Sequence, residues 1–189
     1  MTGQDELIRR RFPDFDPEAR RAATTLLELA IAEDLGTPYP LLRHDTREGL
    51  ALQFESNPVT RPGDVTSEAT IPETAQGSAV FVARRPGVIA GLPVVYLAAE
   101  RFGLTLGFDP DVPDGAQVER GTTVASVAGP MRALLAFERT SLNFLQRLSG
   151  VATLAARFVR EVQGTNVTIL DTRKTTPGWR NLEKYAVRQ

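Results

Sequence analysis

Hydrophobic positions recur at helical spacing in two long stretches of the chain, with short strand-like runs between them. Asp16 and Pro17 form an N-cap and first-turn pair, after which Ala22, Leu26, Leu29 and Ala30 mark one helical face until Gly36 stops it. β-Branched and aromatic residues at 78–83 predict a strand, 92–101 a helix, and 104–108 another strand. Turn residues follow at Asp114-Gly115 and near Gly121, then 124–127 gives a further strand before Gly129-Pro130 opens a helix. From Met131 onward Leu134, Leu135, Leu142, Leu145 and Leu148 supply an apolar face, Gly150 predicts a break, and a second helix runs to 162. Gly164 ends that helix, 167–170 predicts a strand, and 177–187 predicts a turn leading into a short helix. Residues 37–62 hold four prolines, the lone histidine and no clear period, which predicts a surface loop. The first 128 residues therefore predict an α+β unit within an α/β chain.

Composition narrows the picture in three ways. At 189 residues, with 42% hydrophobic and 24% charged residues, the chain suits one ordinary domain or two small ones. A net charge of −1 gives no argument for general binding to nucleic acid or to an anionic membrane, so any anion chemistry must be local. Absence of cysteine removes disulfides, thiol nucleophiles and Cys-based zinc sites. The amino terminus lacks an apolar signal core, and the longest mainly apolar stretch, 87–99, is too short to span a bilayer. Cytoplasmic residence is the resulting expectation.

Local anion chemistry has one strong candidate, the run Asp171-Thr172-Arg173-Lys174-Thr175-Thr176-Pro177-Gly178-Trp179-Arg180. Arginine pairs in two-pronged fashion with carboxylate or phosphate, lysine adds a point charge, and the threonines add hydroxyl donors. A strand that ends in such a loop also predicts the ligand-binding mouth of a parallel α/β sheet or barrel. Other polar residues read more plainly. Arg139, Asn143 and Arg147 form a stripe at four-residue steps, which by itself predicts a solvent-facing side. Glu33 and Asp34 point in different directions near a helix end, and Asp64 with Ser67 fits N-cap chemistry. Asp171 orders its loop or ligates magnesium, and Arg180 caps a helix or pairs with Glu183. With His44 as the single histidine there is no basis for a Ser-His-Asp triad, and no G-x-x-x-x-G-K-[ST] or G-x-G-x-x-G loop occurs.

The loop motif reads on through Leu182, Lys184, Tyr185, Ala186 and Val187, and other segments precede it in order: Glu33-Asp34-Leu35-Gly36, Gly63-Asp64-Val65-Thr66-Ser67, Gly87-Val88-Ile89-Ala90-Gly91, and Glu138-Arg139 with Leu142-Asn143 and Leu148-Ser149-Gly150. This set resembles the quinolinate phosphoribosyltransferases, the carboxylating nicotinate-nucleotide pyrophosphorylases, over nearly the whole chain. The resemblance implies an α+β N-terminal substrate and dimerisation domain over 1–128, with 37–62 as an insertion, followed over 129–189 by the beginning of an α/β barrel. It implies transfer of phosphoribose from phosphoribosyl pyrophosphate to quinolinate with decarboxylation, in NAD biosynthesis, with Mg2+ accompanying the donor. It also implies that Thr172, Arg173 and Lys174 contact substrate, and that Arg139 reaches across a homodimer interface into the neighbouring site. The segments that follow the loop motif in that family, an Asn-His-Arg motif and a second lysine motif, are not in these 189 residues. A truncated piece or fragmentary gene product with little turnover of its own is therefore expected. A related enzyme acting on another substrate, or a non-catalytic binding or dimerisation module, are the alternatives.

Overall fold

A computed structural model describes residues 3–36, 40–45, 49–54, 63–109 and 111–189. The chain begins with α1 (Gly3–Arg11) and α2 (Pro17–Leu35). Asp16 caps α2 by accepting from the Ala19 N–H at 2.8 Å, and Gly36 ends it in the left-handed region, as the sequence predicts. Next come β1 (Pro40–Asp45) and β2 (Gly49–Phe54), paired antiparallel with Pro40 opposite Phe54 and Asp45 opposite Gly49. This hairpin corrects the expectation of a loop across 37–62. Leu50, Leu52 and Phe54 alternate with Ala51 and Gln53, a period-two signal that the prolines obscured. The rest of that segment, 37–39, 46–48 and 55–62, lies outside the described residues.

After the short α3 (Val65–Thr70), capped by Asp64, come β3 (Gln76–Val82), β4 (Gly87–Val88), α4 (Leu92–Arg101), β5 (Thr105–Phe108), β6 (Gln117–Val118) and β7 (Thr123–Pro130). Strand β7 is central in an antiparallel β3-β7-β5 sheet, and β4 pairs with β6. The predicted α+β character is therefore present. Strand β7 leads directly into α5 (Met131–Glu161), which packs against α2, α3, α4, β3, β4, β7 and α6 (Arg180–Arg188).

Helix α5 runs unbroken through Gly150, against the predicted break. Glycine costs a helix interior only about 1 kcal/mol relative to alanine, and tertiary contacts on both sides of Gly150 exceed that. Leu148 and Ala152 are buried. Ser149 Oγ donates to the Ala90 carbonyl and accepts from its N–H at 3.1 Å, while Thr153 Oγ1 accepts from the Val88 N–H at 2.9 Å. The glycines of the 87–91 run permit this close approach. A Cβ at Gly87 would lie 2.7 Å from Thr153 Oγ1, and one at Gly91 would lie 2.9 Å from Leu148 Cδ1.

The predicted strand at 167–170 does not form, because among the described residues no strand lies beside it to complete a ladder. Val167 and Leu170 are instead exposed. The chain regains regular structure at α6, whose Leu182, Tyr185 and Ala186 are buried.

One polar contact ties α6 to the sheet half. The half-buried Asp114 accepts from the N–H groups of Gly91 and Leu92, at 2.7 and 3.1 Å, and from the Tyr185 hydroxyl at 2.6 Å. It thereby caps α4, where Gly91 has no side chain to do so. Loss of solvation pushes the Asp114 carboxyl up to about 6, in spite of the three donated hydrogen bonds. Burial and the neighbouring Asp114 charge likewise push the Tyr185 hydroxyl up.

Removing the Tyr185 donor leaves a desolvated carboxylate one partner short, so Tyr185→Phe is expected to cost about 1–3 kcal/mol in urea unfolding. A group whose folded pKa is raised stabilises the fold most below its unfolded value and loses that contribution as pH rises through the folded value. Wild type should therefore lose stability relative to Asp114→Asn as pH rises from near 3.8 to about 6. Parallel urea-midpoint profiles of the two proteins over that window would contradict the assignment.

Candidate anion-binding site

The candidate loop, 171–176, is shaped by three local devices. Thr172 Oγ1 accepts from the Lys174 N–H at 3.1 Å, a side-chain turn that bends the chain at Arg173. Next, Thr176 to Trp179 closes as a β-turn, with the Thr176 carbonyl accepting from the Trp179 N–H at 3.0 Å. Proline at the second position and glycine at φ 80° at the third are what a type II turn requires. Finally, Arg180 reaches back from the start of α6, donating to the Arg173 carbonyl at 3.3 Å and to Thr175 Oγ1 at 3.4 Å.

Of the charges in the loop and α6, Asp171, Lys184, Glu183 and Arg188 each meet an opposite charge. Lys184 Nζ lies 2.6 Å from Asp171 Oδ1, a contact that orders Asp171 within the loop. Arg147 of α5 donates to Glu183 Oε1 at 2.5 Å and to Thr176 Oγ1, with its guanidinium 4.9 Å from the Trp179 ring centroid. The other Glu183 oxygen accepts from the Thr176 N–H at 3.3 Å. Trp179 in turn stacks on Phe144 at 4.9 Å between centroids, fixing the turn against α5. Desolvation works to raise the Glu183 carboxyl, but the bonds from Arg147 and Thr176 together with the Arg147 charge outweigh it and hold it below the usual value. Among the described residues this leaves two loop cations without a side-chain partner, Arg173 and Lys174, both exposed.

Arg139 lies apart from this cluster. It is on α5 two turns before Arg147, its side chain is 74% exposed, and its partner is Asp34 Oδ1 at 3.3 Å. The neighbouring Thr140, buried, donates to Asp34 Oδ2 at 3.1 Å. Asp34 thus has the structural role expected of it. Asp64 does too: its oxygens accept from the Ser67 N–H and hydroxyl, which hold its carboxyl below the ordinary range.

Arg147 is exposed, as its place on a solvent stripe predicts, but the stripe gave no sign of the partners it meets. Its partners Thr176, Trp179 and Glu183 lie some thirty residues further along and meet it only once α6 folds back on α5. The usable signal was Phe144 and Leu148, buried core positions three residues before and one after it, which put the edge of that stripe beside the core.

Residues 64–149 match the family model described as quinolinate phosphoribosyl transferase, N-terminal domain, and residues 151–189 match the corresponding C-terminal domain. The chain is 43% identical over 128 residues to the nicotinate-nucleotide pyrophosphorylase (carboxylating) of Mycobacterium leprae, covering 66% of this chain and 45% of that protein. It is 42% identical over 132 residues to the probable enzyme of the same name from Bacillus subtilis, covering 67% and 43%. Among solved structures, NadC from Streptococcus pyogenes superimposes with a TM-score of 0.69 at 31% identity, over 86% of this chain and 49% of that one. The nicotinate-nucleotide pyrophosphorylase from Francisella tularensis gives 0.68 at 26%, over 89% and 51%. The chain spans under half the length of these two curated relatives and about half of each of these solved chains. Two domain models of one family fall in order along it, with the loop cations inside the second, and the chain belongs to the quinolinate phosphoribosyltransferase family.

Proposed function

We propose that the chain serves the transfer of phosphoribose from phosphoribosyl pyrophosphate to quinolinate, with loss of CO2, giving nicotinate mononucleotide and pyrophosphate in NAD biosynthesis. The observation that carries this reading is the pair of exposed cations, Arg173 and Lys174, left unmatched in a loop whose other charges are all engaged. Quinolinate is a planar dicarboxylate. The Arg173 fork fits a carboxylate in two-pronged fashion, Lys174 neutralises charge without demanding one geometry, and Thr172 sets the bend that presents both. Held in this way, the pyridine nitrogen attacks C1 of the donor as pyrophosphate leaves with the bonding electrons. Orientation and electrostatic complementarity supply the acceleration, and no protein nucleophile is needed.

Mg2+ belongs to this reading as a companion of the donor's diphosphate. Asp171 is engaged by Lys184, and among the described residues no group of three acidic or imidazole side chains could hold an ion. The residues present thus do not form a protein cradle for the metal, and no step is assigned to it. A homodimer fits Arg139, whose exposed side chain has one long contact to Asp34 and is free to reach a neighbouring subunit's site. Cytoplasmic residence suits the substrates of this reaction.

Isothermal titration of quinolinate and of phosphoribosyl pyrophosphate, each separately, tests the reading. The chain should bind quinolinate, and Arg173→Ala should weaken that binding by about tenfold to a hundredfold, the loss of a charge-assisted pair. If neither ligand binds, the chain is an interaction module and the enzymatic reading falls. Arg139→Ala should unfold within about 0.5 kcal/mol of wild type, because an exposed pair with a long contact adds little stability. A larger loss in urea unfolding would assign Arg139 to the fold instead.

A further inference from the structure

Glu183 presents the anion site with a problem. It lies on α6 one turn after the loop, and its Oε2 already accepts from the Thr176 N–H, two residues beyond Lys174. A free carboxylate there would compete with an incoming anion for Arg173 and Lys174. The structure shows what prevents this. Arg147 holds the other Glu183 oxygen at 2.5 Å, and the Glu183 side chain is only 14% exposed. The same guanidinium donates to Thr176 Oγ1 and covers the Trp179 ring, so it is fixed on three sides by the segment it restrains.

We propose that Arg147 is a positioning residue of the anion site: it sequesters the Glu183 carboxylate and thereby keeps Arg173 and Lys174 unneutralised. Arg147 touches no substrate in this scheme. It acts through Glu183, and Asp171 is dealt with in the same manner by Lys184 at 2.6 Å. Each acidic side chain of residues 171–184 thus has its own cation; of the three cations left over, Arg180 is spent on the Arg173 carbonyl and Thr175 Oγ1, and the other two, Arg173 and Lys174, are those of the D-T-R-K motif. Arginine suits the task better than lysine, because one planar group stacks on Trp179 while its edge donates to both Glu183 and Thr176. As a statement about quinolinate binding the proposal rests on the function proposed above; as a statement about anion binding in general it does not.

Trp179, the only tryptophan in the chain, provides the readout, since its ring contacts both the Arg147 guanidinium and Phe144. Inorganic phosphate and quinolinate are titrated separately while its emission is followed, in wild type, Arg147→Ala, Glu183→Gln and the double variant, with Arg157→Ala as a control elsewhere on α5. Arg147→Ala should weaken phosphate binding about tenfold, as expected when a carboxylate partly neutralises a site cation. The double variant should recover most of that loss, because the competing carboxylate is gone. Glu183→Gln alone should bind phosphate at least as tightly as wild type.

A merely structural Arg147 predicts the reverse for the last two variants, with the double no better than the single and Glu183→Gln weakened. Either result overturns the proposal, and the Glu183→Gln arm decides the matter even if Arg147→Ala fails to fold. Wild type that binds phosphate but not quinolinate would remove the proposed substrate and leave the sequestering role to be judged by the variants. Wild type that binds neither removes both.

Discussion

Continuity of α5 through Gly150 is the constraint on which the rest of the structure depends. The helix meets the sheet half with its first turns, the 87–91 segment with its middle, and α6 with the Phe144 to Leu148 face. Ser149 and Thr153, one before and one after Gly150, act as a polar edge for the backbone of the buried Val88 and Ala90 beside the short β4 strand. A break at Gly150 would rotate those hydroxyls away and orphan that backbone. It would also separate Leu148 from Gly91, where the absence of a Cβ allows close packing. The Gly87 to Gly91 run and the Leu148-Ser149-Gly150 run are therefore two halves of one contact.

The second organising principle is charge matching across distant elements. Asp114 takes three donors from two places in the sequence, the start of α4 and the end of α6. Glu183 takes donors from α5 and from the loop before it. Desolvation opposes ionisation at both, but it wins at Asp114, where every donor is neutral, and loses at Glu183, where one donor is a cation. The two carboxyls therefore favour folding at opposite ends of the acid range. Asp114 contributes most when protonated, and Glu183 only once it is ionised.

Much of this was legible in the sequence because the signals were local. Asp16-Pro17 and Gly36 bound α2, residues 92–101 form α4, and Pro177-Gly178 makes the turn its dipeptide specifies. The cations of the loop were legible for the same reason, since a D-T-R-K run carries its chemistry in adjacent residues. What escaped was whatever depends on a partner far along the chain. Arg147 is exposed as its stripe predicts, but its partners were hidden because Glu183 and Trp179 lie 36 and 32 residues away. Gly150 looked like a break because the hydroxyl contacts that carry the helix past it involve residues 88 and 90. Pairing also decided the two strand errors in opposite directions: 49–54 found a partner in 40–45 and formed a strand, and 167–170 found none and did not.

The fate of 167–170 bears on how the anion loop is held. β-Branched residues favour a strand only where a ladder exists, because an isolated extended segment gains no hydrogen bond for the entropy it gives up. A helix closes its own backbone bonds, so the nine residues of α6 need only a surface to bury their apolar face, and α5 and α2 provide one. Loop 171–176 is consequently fixed from its carboxyl side, by the Pro177-Gly178 turn, Arg180, Glu183 and Lys184, while the exposed Leu170 on its amino side contributes no packing. The conformation of Arg173 and Lys174 is thereby set by α6 and the helix beneath it. A change that loosens α6, such as loss of the Tyr185 to Asp114 bond, should reach the anion site even though Tyr185 touches none of its residues.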